Sequence, residues 1–209
     1  FKDKIFAIGN SRFDLLRRDL RKFYLEETQN LKKRYGRFIF FTSKFTILNN
    51  TWIKGVPKET KKGIGKLVLE EDFSDQKKIE KKLIKFLNTI PKKYPQVKFL
   101  IKPHPVEDSN YWKKLLKKIN CENLILVDKN YSTNACILAS EFNIGSNCHT
   151  SLESYLSNKP TINLRASKKE SIVISEVIRA ISSKEVLEVK ELDQLIKNWF
   201  IKKKKFSKI

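Results

Sequence analysis

The sequence predicts an α/β protein built on a doubly wound parallel sheet, Rossmann-like, with an N-terminal connecting helix. Three observations carry that expectation. Five short apolar runs bounded by turn residues, at 37–42, 97–102, 123–127, 142–145 and 161–164, read as buried strands. Helical periods separate them, and strands alternating with helices mean a parallel sheet covered on both faces. The 209 residues are 40% hydrophobic, enough for one core that needs neither disulfides nor metal.

In chain order, a strand at 5–8 precedes a long basic helix at 13–35, which Gly36 stops. The first regular strand follows at 37–42. A long connection at 43–74 then carries Trp52, Gly55, Gly63 and Gly65 without a clear period. Within it, Gly63-Ile64-Gly65-Lys66 lacks the remaining spacing and the Ser/Thr of a phosphate loop, and reads as flexible loop. The remaining helices are expected at 75–93, 110–119, 133–140, 150–157, 169–181 and 189–204.

Charge and cysteine usage narrow the function classes. Forty-four Lys and Arg against 23 Asp and Glu give a formal charge of +21, a surplus that attracts polyanions. The lysines are nevertheless scattered over nearly every segment, and no nucleic-acid-binding signature accompanies them. The one dense run is Lys202-Lys203-Lys204-Lys205 with Lys208, beside Trp199 and Phe200. It suits a solvated helix end somewhat better than a weak contact with an anionic leaflet. Cys121, Cys136 and Cys148 are odd in number and lack CxxC spacing, which argues for a reducing compartment and against a zinc ribbon. No apolar run approaches a membrane span, so a cytoplasmic location is expected. The absence of methionine leads to the expectation that these residues begin part-way through a longer product.

In an open parallel sheet, ligands sit beyond the carboxyl ends of the strands, so the loops after strands hold the candidate site. Three of them carry chemistry. Lys102-Pro103-His104-Pro105 follows a strand directly, and its prolines keep the exit extended, so the imidazole either donates to a phosphate oxygen or caps a nearby carbonyl in an ordinary turn. Gly145-Ser146-Asn147-Cys148-His149-Thr150-Ser151-Leu152-Glu153 opens a helix whose free amides and hydroxyls suit an anion. Glu153 fits two roles there: a partner of Thr150 in a capping box, or an acceptor for ribose hydroxyls. Gly9-Asn10-Ser11-Arg12-Phe13-Asp14 offers a carboxylate that is either a first-turn acid paired with Arg12 or a crevice-facing base or nucleophile. No DxD or dense carboxylate cluster appears, so neither metal nor cofactor is called for.

These three segments, with Asn158-Lys159-Pro160-Thr161-Ile162 after them, resemble in order and spacing the bacterial surface carbohydrate biosynthesis proteins. That family looks like the nucleotide-binding, C-terminal half of a GT-B glycosyltransferase. The resemblance extends to retaining β-Kdo transferases and, more distantly, to CDP-glycerol glycerophosphotransferases and polysialyltransferases. It implies donor-nucleotide contacts from Arg12, Lys102, His104, Asn147, His149, Thr150, Ser151 and Glu153, with Asp14 and His104 as the catalytic pair. Two positions depart from the pattern: Ser11 stands where proline is usual, and His149 where a small hydroxylated residue is usual.

The expected function is therefore a glycosyltransferase of capsule or lipopolysaccharide synthesis using a CMP-activated sugar such as CMP-Kdo. The alternatives are alditol-phosphate transfer from CDP-glycerol and a non-catalytic basic binding module. The implied partners are a CMP- or CDP-linked donor and a saccharide or lipid-linked acceptor, with no nucleic acid. The resemblance also implies that residues 1–36 connect to an absent N-terminal domain, that 37–209 form the donor domain, and that activity depends on both.

Overall fold

Phe-Ile-Phe-Phe-Thr suits only a strand covered on both sides, and Phe38–Thr42 form such a strand, β1, with all five side chains buried. The protein's computed structural model describes residues 11–46, 48, 63–146, 148–168 and 176–201. Beside β1 lie β2 (Lys98–Lys102), β3 (Leu124–Leu126), β4 (Asn143–Gly145), β5 (Thr161–Leu164) and β6 (Lys184–Val186). All pairs are parallel, in the order β3-β2-β1-β4-β5-β6. This is the doubly wound sheet that the sequence predicts. The sixth strand is an addition: Lys-Glu-Val buries only its valine, so it forms no apolar run to read.

The helices are α1 (Ser11–Asp14), α2 (Leu25–Tyr35), α3 (Gly63–Lys93), α4 (Ser109–Ile119), α5 (Thr133–Ala139), α6 (His149–Leu156), α7 (Glu176–Ile181) and α8 (Val189–Ile196). Alternation along β1 sorts them onto two faces. Phe38 and Phe40 join Leu31 and Tyr35 of α2 and Ala135 and Cys136 of α5 in one cluster. Ile39 and Phe41 join Leu83, Phe86 and Leu87 of α3 and Trp112 of α4 in the other. There the rings of Phe41 and Phe86 lie 6.0 Å apart, and Phe86 meets Phe99 edge-on at 5.8 Å. Fully burying each of these side chains contributes about 1.5–3 kcal/mol relative to exposure.

Two expectations are corrected. Residues 13–35 are not one helix: α1 ends at Asp14, a 3-10 turn spans Arg21–Tyr24, and α2 begins only at Leu25. The break lets Leu16 sink to 1% exposure while Arg21 donates from Nε to the Leu16 carbonyl and from Nη2 to that of Leu156. Leu15, Leu16, Leu20 and Phe23 keep a helical period in spite of it, so periodicity conceals the break. Gly63-Ile64-Gly65-Lys66 is the first turn of the 31-residue α3 rather than loop. Its two glycines lower local helix propensity, but the long run of helix formers after them carries the helix back through them. The strand expected at 5–8, Trp52 and Gly55, residues 169–175 of the helix expected at 169–181, and Lys202 to Lys205 with Lys208 lie outside the described residues. No described helix is long and apolar enough to cross a membrane.

Local signals mark most ends. Gly36, at φ 66°, closes α2. Asp108 caps α4 by accepting from the Asn110 amide at 2.8 Å, and Asn120 leaves it at φ 48°. Asn123 joins the end of α3 to the start of β2: its Nδ2 donates to the carbonyls of Pro91, Tyr94 and Val97 at 2.9, 3.0 and 2.8 Å. Asn123→Ala removes all three bonds, leaving the Pro91 and Tyr94 carbonyls with only the Tyr94 and Val97 amides, and is expected to lower stability by about 1–3 kcal/mol in urea denaturation. An unchanged midpoint would show that water replaces the amide without cost.

Candidate functional site

Strand order reverses at the junction of β1 and β4: from β1 the chain winds outward to β2 and β3, then returns to β4 and winds the other way. Loops leaving such a junction separate, and the crevice between them is where open α/β sheets hold ligands. Thr42, the last residue of β1, is in register with Lys102 of β2, and its neighbour Phe41 with Ile144 of β4. The His104 loop and the start of α6 therefore leave the same sheet edge on either side of β1.

On the β4 side the backbone comes unusually close. A Cβ on Gly145 would stand 3.1 Å from Thr42 Oγ1 and 3.7 Å from Ser151 Oγ, so glycine is what lets the end of β4 settle against β1. The Thr42 and Thr150 hydroxyls share a hydrogen bond of 2.9 Å. Ser151 is fully buried, its Oγ without a hydrogen-bond partner among the described residues. Glu153 is buried as well. The residue preceding α6 is Cys148, so Thr150 is the second residue of the helix and forms no capping box with Glu153. Thr150 and Ser151 thus face the sheet. What α6 turns outward is the exposed His149. The Ser151 amide donates to the Cys148 carbonyl at 2.9 Å, and the amides before it are those a helix leaves without acceptors of its own.

On the β2 side, His104 is half-buried. Its Nδ1 accepts a long hydrogen bond, 3.4 Å, from the Val106 amide, and its carbonyl accepts from the Glu107 amide at 2.9 Å. An accepting Nδ1 assigns the ring proton of the neutral imidazole to Nε2, making that nitrogen the donor. Lys102 turns elsewhere, donating from Nζ to the Tyr131 carbonyl at 2.6 Å in the loop after β3.

Glu107 escaped the sequence reading. Its carboxylate is 7% exposed and accepts from Ser43 Oγ at 2.8 Å, the Phe45 amide at 2.8 Å and Trp112 Nε1 at 2.7 Å. Burial pushes its carboxyl above the ordinary range, against these hydrogen bonds, which favour the ionised form. It lies between a proline-fixed loop and the cap of α4, where an acid looks like an ordinary first-turn residue. Nothing in its spacing from Ser43 betrays the contact, because the two are 64 residues apart.

Asp14 is exposed at the end of α1. Its neighbours Phe13 and Leu16 line a cavity of about 370 Å³ against Leu156 and Asn158, at the opposite end of α6 from His149. The described contacts do not bring Asp14 to the end of β1. Arg12 is described only through its backbone in α1, and Asn147 lies outside the described residues. No group of three or more His, Cys, Asp or Glu positioned to hold a metal ion occurs among the described residues.

No protein-family model matches the chain, and neither does any curated protein. Among solved structures it is similar to the UDP-GlcNAc 2-epimerase of Methanocaldococcus jannaschii, solved in complex with UDP-GlcNAc and UDP. The TM-score is 0.56 at 14% identity, over 99% of this chain and 50% of that one. The likeness is one of fold, and the chain spans about half the length of that enzyme.

The contact at Gly145 is open to test. Gly145→Ala is expected to cost about 1–3 kcal/mol by overpacking. In a Thr42→Ala background the cost should shrink by at least about 0.5 kcal/mol in a double-mutant cycle. Strict additivity would mean that the new methyl group meets something other than the Thr42 side chain.

Proposed function

We propose that the chain is the donor-binding half of a nucleotide-sugar-dependent glycosyltransferase of surface polysaccharide synthesis, and that it takes a cytidine nucleotide such as CMP-Kdo. The observation that carries this reading is the placement of the His104 loop and the α6 N-terminus on either side of β1, at the reversal of strand order. A phosphate seated over the end of β1 would meet an imidazole donor from one side and helix amides from the other. The likeness to half of an enzyme solved with UDP-GlcNAc supports a nucleotide-sugar ligand. The choice of cytidine rests on the sequence resemblance.

In this reading bond cleavage at the anomeric carbon leaves negative charge on the departing CMP phosphate. His104 Nε2–H and the first-turn amides of α6 stabilise that charge as it develops, which is the electrostatic part of catalysis. His149, exposed at the mouth of α6, adds a second imidazole beside the phosphate. Residues 1–36 would lead from the acceptor-binding half, and 37–209 form the donor half.

The covalent route through Asp14 needs α1 to reach the β1 edge, whereas the neighbours of Asp14 face Leu156 and Asn158. That favours direct attack by an acceptor hydroxyl, on the anomeric carbon of a CMP-linked sugar or, in the alditol-phosphate alternative, on the glycerol-bearing phosphorus of CDP-glycerol, with CMP departing in either case. In both routes the nucleotide phosphate is held alike.

Thermal-shift titration separates the ligands. CMP and CDP should raise the melting temperature more than UDP or GDP, and His104→Ala should lose most of that shift while keeping its far-UV spectrum. In the complete enzyme the same substitution is expected to lower turnover by about 10²–10³. Stabilisation by UDP equal to that by CMP would overturn the cytidine assignment, and an undiminished shift in His104→Ala would overturn the phosphate role.

A further inference from the structure

We propose that Glu107 is the positioning residue for His104, locking the loop after β1 to the loop after β2 so that the imidazole is presented as an Nε2–H donor. Its consequence for ligand binding rests on the reading of His104 as a phosphate contact; the positioning itself does not.

The geometry is that of a staple. Three donors converge on one carboxylate: Ser43 Oγ and Trp112 Nε1 on Oε2, and the Phe45 amide on Oε1. They come from the loop after β1 and from α4, while Glu107 itself belongs to the loop after β2. Trp112 is fully buried and stacks on Phe45, with ring centres 6.1 Å apart and planes inclined by 15°, so the loop after β1 is held by packing as well. From this anchored point the turn reaches back to the histidine at two places. The Glu107 amide donates to the His104 carbonyl, and the Val106 amide to His104 Nδ1. The first fixes the backbone and the second the tautomer.

The residue type matters as much as its position. An ionised carboxylate is purely an acceptor, and with two oxygens it can serve three donors arriving from different directions. A glutamine amide would set an NH2 group against at least one of those donors. Leaving buried donors without an acceptor favours any rearrangement that lets water reach them, and two of the three belong to the loop that leaves β1. Alanine would remove the acceptor altogether and endanger the fold, so glutamine is the informative change.

The chain has only two histidines, which makes the test direct. In imidazole 15N–1H spectra of the labelled protein, assigned with His149→Ala, His104 should show the Nε2–H tautomer. Glu107→Gln should move the His104 signals toward mixed tautomers and leave those of His149 in place. Trp112→Phe keeps an aromatic ring while removing one donor; it should shift His104 the same way by less, and it carries the test if Glu107→Gln fails to fold. Binding supplies the second readout. Glu107→Gln should weaken CMP about tenfold, the loss of one charge-assisted hydrogen bond, while changing cytidine affinity less than twofold. His104 signals unmoved in every variant that folds would overturn the positioning role, and equal losses for CMP and cytidine would reduce Glu107 to general support. If the unaltered protein binds no CMP, the functional reading falls, and the tautomer measurement still decides the role of Glu107.

Discussion

Burial of β1 on both faces is the constraint from which the rest of this structure follows. Phe38 and Phe40 need one layer of helices, and Ile39 and Phe41 need another, so the chain must wind to both sides of the sheet. Winding both ways from a central parallel strand requires the strand order to reverse beside it. The reversal separates the loops after β2 and β4 and leaves the end of β1 at the floor of the crevice between them. A packing demand in five consecutive residues thereby brings the His104 loop and the start of α6 to one edge of the sheet.

Polar contacts join apolar packing around the end of β1. Thr42 pairs with Thr150 on the β4 side, and Ser43 pairs with Glu107 on the β2 side, so two consecutive residues of β1 and its exit hold the two flanking loops. These buried polar groups are paired, and their directionality fixes geometry that apolar packing would leave adjustable. Gly145 adds the close approach that brings α6 to this edge.

Most of the sheet was legible in the sequence because its strands are short, apolar and bounded by turn residues. β6 was not, since an edge strand with one buried residue has almost no hydrophobic signature. The start of α3 was hidden by two glycines, and the break between α1 and α2 by leucines that keep a helical period across it. In the candidate site, the edge shared by His104 and the α6 start could be read from strand–loop–helix order alone. The inward turn of Thr150 and Ser151 could not, because a hydroxyl at a helix start looks the same whether it faces a ligand or a neighbouring strand. Glu107 shows the same limit from the other side: its partners lie on a different strand and a different helix, and only the fold brings them together.

A crystal structure of the chain with CMP bound decides where the phosphate sits. The phosphate is expected over the end of β1, within hydrogen-bonding distance of His104 Nε2 and of the first-turn amides of α6. A phosphate bound instead in the cavity beside Leu156, which Arg17, Arg18 and Arg21 also line, with none over the end of β1, would rule that placement out.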